Sequence, residues 1–162
     1  MKLQDKRAIV VIAFTVFVGL FLFYTNLPAN NQTPQFGDYK VVEKQHQKNA
    51  PIIVSKKDRS FRTRLKEAAK QKPNFAGHYI LTVWGCGMEC LMGAVIDAKS
   101  GKVYQLPFTI CCWGDDVGDD FKPIEFRLDS KLIIFTGARD EMEDDVKKHY
   151  YVFDKNSFKE IQ

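Results

Sequence analysis

Three catalytic signatures are missing from this chain: it contains no G-x-S-x-G, no H-E-x-x-H and no C-x-x-C. Their absence takes away the nucleophile elbow, the zinc-protease helix and the dithiol redox turn. Histidine is scarce, with only His46, His78 and His149. Length sets another bound, because 162 residues fill one ordinary domain and at most a small appendage, which excludes a multidomain enzyme. No cysteine stands directly after the first apolar run, so a bacterial lipoprotein anchor is not expected. Core material is plentiful: 45% of residues are hydrophobic, including 13 Phe, 6 Tyr and 2 Trp, which marks a folded chain rather than a disordered one.

The N-terminus carries Lys2, Lys6 and Arg7, and an uncharged run follows from Ala8 to Leu27. As a helix this run reaches roughly 30 Å, the thickness of a hydrocarbon core, and it exceeds the roughly 7–15 apolar residues of a cleaved signal. Residues 1–27 are therefore expected to be a signal-anchor. The alternative is a cleaved and secreted chain, against which stands the bulky Leu27 in Leu27-Pro28-Ala29. Positive charge ahead of the span places the N-terminus in the cytoplasm and the remainder outside it. The expected location is the bacterial inner membrane, single-pass, with the C-terminal domain in the periplasm or beyond the cell. Polar residues 28–38 read as a linker, and 39–162 as the extracytoplasmic domain.

Four cysteines, Cys86, Cys90, Cys111 and Cys112, would then meet an oxidising compartment, where an even count points to disulfides. Three pairings exist. A vicinal Cys111–Cys112 bridge closes an eight-membered ring, so two bridges joining the Cys86/Cys90 loop to the Cys111–Cys112 segment are expected. Four thiolates also suffice for a zinc shell, although adjacent cysteines serve one metal poorly.

Along the domain, YKVVE (39–43) and PIIVS (51–55) read as short strands. Phe61, Leu65, Ala68 and Ala69 then fall on one face at i, i+4, i+7 and i+8, predicting an amphipathic helix with Ser60 or Asp58 as N-cap and Pro73 beyond its end. After Asn74 the texture turns to strand: GHYILTVWG, LMGAVIDA, KVYQLPF, KLIIFTG, HYYVFD and FKEIQ, separated by turn residues. Val95–Tyr104 aligns without gaps with Val152–Ile161, sharing Val, Asp, Ser and Lys, as a two-unit meander repeat or shared turn chemistry would produce. The fold class expected is α+β: an antiparallel β-meander or sandwich-like domain with one packed helix, plus the N-terminal transmembrane helix.

The motifs NFAGHY and WGCG, following the basic helix FRTRLKEAAKQKP, resemble a family of small secreted bacterial proteins without an established activity. The resemblance covers Phe61 to Phe108 and implies an envelope location and a single β-rich domain.

Charge is divided unevenly, with 11 basic against 4 acidic residues in 30–75, and 10 against 15 in 76–162. Outside the cytoplasm the basic helix does not read as a nucleic-acid site. Anionic lipid headgroups, the protein's own acidic half and plain solvation remain as its surroundings. Asp115, Asp116, Asp119 and Asp120, with two glycines, form an acidic loop after Trp113. The carboxylates do not alternate as in an EF-hand, so a docking loop is expected ahead of a metal site. Asp140 to Asp145 offers a second acidic run that would face it across one site.

His78 has the side chain for acid–base work, but no nucleophile accompanies it, and a structural role at a strand start is expected. Trp84 and Trp113 adjoin cysteines and are expected to pack against the disulfides, with sugar stacking as the rival role. No cofactor motif is present. Together these features point to a non-catalytic envelope module that binds a protein partner, of the inhibitor or immunity kind. The alternative is a small metal-assisted periplasmic hydrolase using His78 and the acidic loop.

Overall fold

A computed structural model describes residues 32–42, 48–114, 117–118 and 120–162, and its compact unit runs from Pro34 to Gln162. The apolar run from Ala8 to Leu27 lies outside the described residues, among which no helix is long and apolar enough to cross a membrane. The domain is β-rich, with one short helix on a curled antiparallel sheet. Its strands are β1 (Tyr79–Gly87), β2 (Cys90–Asp97), β3 (Val103–Gln105), β4 (Ile110–Cys111), β5 (Ile124–Phe126), β6 (Leu132–Arg139), β7 (Lys147–Asp154) and β8 (Ser157–Glu160). The path across the sheet is β1-β2-β4-β6-β7-β8, with β3 also on the edge of β2 and β5 also on that of β6.

Period-two alternation sends each long strand's side chains to two different apolar surroundings. Leu81, Val95, Ile133, Phe135, Tyr151 and Phe153 meet inside the curl with Phe75 and Ile110. Ile80, Trp84, Ala94 and Ile96 face outward and are covered by α1 (Arg62–Ala68) through Leu65 and Ala68. On the other half, Leu132, Ile134 and Tyr150 are covered by Phe36 and Tyr39. The curl draws β1 towards the far hairpin: the Tyr79 hydroxyl donates to Asn156 Oδ1 at 3.0 Å, and its ring lies 5.0 Å from that of Phe153.

The expected amphipathic stripe is present, but the helix is short: the 3-10 turn Arg59–Phe61 runs into it with Asp58 at the turn's N-cap position, without a side-chain cap bond, and Phe61 is the N-cap of the α-helix itself. The Asp58 carboxylate is buried elsewhere, accepting hydrogen bonds from the Ser55 hydroxyl and the Gln105 amide. Neither early strand forms as expected. Phe36–Tyr39 is a 3-10 turn with a reciprocal cap between Gln35 and Asp38, and Lys40 makes only a single bridge to Ser130. Residues 51–55 run over the β2–β3 turn, where Ile53 N–H donates to the Gly101 carbonyl. Proline at 51 has no N–H for a ladder.

Both aligned repeat segments are hairpins, but they are not equivalent. Asp97 N–H closes onto the Lys102 carbonyl around four residues, whereas Asp154 faces Ser157 around two, Lys155 and Asn156, both with positive φ. Shared turn chemistry accounts for the likeness.

Gly137 is a fixed requirement of this sheet. Its φ is +132°, and a Cβ there would lie 2.2 Å from the Cys111 carbonyl oxygen. Gly137→Ala is expected to lower stability by about 1–3 kcal/mol through backbone strain and that clash. Urea denaturation compared with Gly118→Ala, where a Cβ meets nothing within 4 Å, checks it.

Candidate functional site

The cysteines pair locally. Cys86 bonds Cys90 across the β1–β2 hairpin, with Cα atoms 5.1 Å apart, and Cys111 bonds Cys112. This corrects the expected inter-segment bridges: the hairpin folds Cys86 back onto Cys90, within ordinary disulfide span. Among the described residues no cysteine is free and no group of three or more His, Cys, Asp or Glu is placed to hold a metal.

His78 lies beside Asp97, Nε2 to Oδ1 at 3.4 Å, with both side chains largely buried. Asp97 also accepts from the Ser100 hydroxyl at 2.6 Å and the Lys99 amide at 2.8 Å. Burial raises the Asp97 pKa, but these donors and His78 outweigh it and hold the carboxyl below its ordinary value. The cluster therefore binds the end of β2 to the start of β1. The Trp84 ring lies 5.1 Å from that of Phe61, beneath the helix. Trp113 is half-buried, 6.1 Å from the Phe121 ring. Asp120 is exposed, while Asp115, Asp116 and Asp119, and His46, lie outside the described residues.

The second acidic run is divided in purpose. Asp145 takes the Arg139 guanidinium at two oxygens and Lys147 at 3.2 Å. Arg139 also donates to the Tyr151 hydroxyl at 3.0 Å and to Glu160 at 2.9 Å. The Arg139 hydrogen bond, against some desolvation, lowers the Asp145 pKa to about 2. His149 is fully buried, with Nε2 donating between the carbonyls of Gly137 at 3.0 Å and Asp145 at 3.1 Å. It belongs to β7 and serves the backbone of the η-turn Glu143–Asp145.

Asp140 points the other way, capping Thr109 through its backbone N–H at 2.9 Å and its hydroxyl at 3.2 Å. There it helps line a groove of about 260 Å³. Phe61, Met92, Leu106 and Phe108 give it apolar surface, and Lys57, Gln105, Thr109 and Asp140 give it polar atoms. The groove has a topological cause. On one edge of β2, residues 94–96 pair with β3 and residues 90–91 with β4, leaving Met92 and Gly93 at the gap. Gly93 is required there by the close approach of β1, because a Cβ would lie 2.4 Å from the Thr82 carbonyl oxygen and 3.1 Å from the Leu106 side chain.

Of the sequence-chosen binding residues that lie among the described residues, Trp84, Trp113 and Asp120, none lines this groove. The signal was Pro107, which ends β3 at Gln105 and corrects the single strand expected over KVYQLPF. No family model matches the chain, and neither a curated protein nor a solved structure matches it.

A carboxyl held below its ordinary pKa stabilises the fold fully above that ordinary value, near about 4, and less as pH falls through the folded value of about 2. The urea midpoint is therefore expected to hold from neutral pH to about 4 and to fall towards pH 2. Asp145→Asn should start from a lower midpoint at neutral pH and lose less across the acid window.

Proposed function

We propose that this protein is a non-catalytic binding module of the cell envelope, anchored through its N-terminal apolar segment, which docks a protein partner in the groove between Lys57 and Phe61, just ahead of α1, and the β3–β4 connection. The observation that carries the reading is the groove's composition: apolar side chains between a cation, Lys57, and a carboxylate, Asp140. The occupant that complements it is a short peptide segment of the partner, with an apolar side chain flanked by one acidic and one basic residue. In the inhibitor or immunity role, the module would take such a segment from an enzyme acting in the envelope and block it by holding that loop. Support for the compartment comes from the two disulfides, which persist in oxidising surroundings.

The histidine that a hydrolase would use is committed elsewhere. His78 is held by Asp97, and Asp97 by its own turn. Lys57, in contrast, is exposed at the groove.

A photo-crosslinking residue at position 92 of the full chain in cells is expected to give a discrete adduct that the same residue at Lys159, on β8, does not. Lys57→Glu should weaken that adduct about tenfold or more, in a salt-sensitive way. Equal adducts at both positions, or none at 92, would overturn the docking assignment. An enzyme reporter fused after Gln162 and active only outside the cytoplasm is the expected topology; activity inside would remove the envelope reading.

A further inference from the structure

The two disulfides are neighbours, and each has one sulfur bearer in the core and one at the surface. Cys90 and Cys111 are buried, while Cys86 and Cys112 are exposed. Cys90 and Cys111 stand directly opposite each other in the β2–β4 register and pack together against Ala138. Opposed residues of an antiparallel pair have Cα atoms roughly 4.5–5.5 Å apart, inside the roughly 4.4–6.8 Å that a disulfide spans. The backbone thus holds a third bridge position ready between the two bridges already made.

We infer that the four cysteines form a thiol–disulfide exchange site that accepts two electrons from a dithiol and stores the remaining bridge as Cys90–Cys111. A thiolate of the dithiol attacks the exposed Cys112 Sγ, the Cys111–Cys112 bond breaks, and Cys111 leaves as thiolate. The dithiol's second thiolate attacks its own sulfur in the mixed disulfide, so that the reagent departs as a disulfide and Cys112 is released as a thiol. The Cys111 thiolate, buried against Cys90, attacks Cys90 Sγ, the Cys86–Cys90 bond breaks, and Cys86 leaves and is protonated. In balance, the dithiol loses two electrons and two protons, and the protein gains thiols at Cys86 and Cys112 while keeping one disulfide.

Two features favour this direction. Opening the vicinal bridge releases an eight-membered ring closed around a single peptide unit, whose second residue, Cys112, sits at φ +55°. The product bridge links neighbouring strands whose register already matches it, and it leaves both new thiols at the surface. Attack at the exposed sulfur with departure into the core also follows the rule that access selects which sulfur is attacked.

The test is titration of the oxidised full chain with one equivalent of dithiothreitol, acid quenching, alkylation of thiols and peptide mapping by mass spectrometry. The expected half-reduced species carries label on Cys86 and Cys112 and a Cys90–Cys111 crosslinked peptide. Label on Cys111 and Cys112 with Cys86–Cys90 intact, or on Cys86 and Cys90 with the vicinal pair intact, would overturn the relay. A second measurement removes dependence on the titration: the Cys86→Ser, Cys112→Ser double variant is expected to oxidise to a single Cys90–Cys111 disulfide with native circular dichroism. Two persistent free thiols in that variant under air oxidation would sink the proposal.

Discussion

Everything in this domain depends on a strand of two residues. Ile110 and Cys111 pair on one side with Leu91 and Cys90, and on the other with Arg139 and Ala138. Without β4, the β1-β2-β3 meander and the sheet formed by β5, β6, β7 and β8 share no ladder and are separate small sheets. With it they become one curled sheet, whose inner faces supply Leu81, Val95, Phe135 and Phe153 to one core. The geometry of so short a joint leaves little tolerance. Gly137 gives the Cys111 carbonyl room, and the contact of Cys90, Cys111 and Ala138 is buried.

The joint also decides where polar residues are placed. Arg139 is the register partner of Ile110, and its guanidinium turns to Asp145, Tyr151 and Glu160, linking β6 to the η-turn, β7 and β8. The next residue, Asp140, holds Thr109 at the entry to β4. Between that capped entry and the end of β3 the chain leaves the edge of β2, and the groove opens there. The groove, the ion network and the proposed exchange site are thus three results of one interruption in the sheet.

Much of the fold was legible because long strands and an amphipathic helix are written in local periodicity. Leu65 and Ala68 lie where the helical stripe put them, and β1, β2, β6 and β7 occupy the runs of β-branched and aromatic residues. What was not legible is non-local. A two-residue strand has no period to detect, so Ile110–Cys111 and the three-residue β5 passed as loop. Cysteine connectivity depends on which strands become neighbours, and the vicinal pairing ran against the ring-size argument. The groove side chains Lys57, Met92, Phe108 and Asp140 come from four separate segments. Only Pro107 marked the place, and a proline that ends a strand does not say what the strand leaves exposed. His78, expected to be structural at a strand start, lies against Asp97 at the β2 turn, and Trp84 lies beneath the helix.

The meagre length of β4 also bears on the order in which the chain assembles. The β1–β2, β6–β7 and β7–β8 hairpins join residues close in sequence, so each costs little loop entropy. Pairing Ile110 with Arg139 closes a loop of roughly 30 residues and returns only two residues of ladder, so it repays that entropy chiefly through the core it allows to coalesce. The hairpins are cheap and the seam between them is not. A chain built this way gathers its halves first and acquires cooperativity at the seam, where a few atoms of Gly137, Ala138 and the facing cysteines decide whether two meanders behave as one domain.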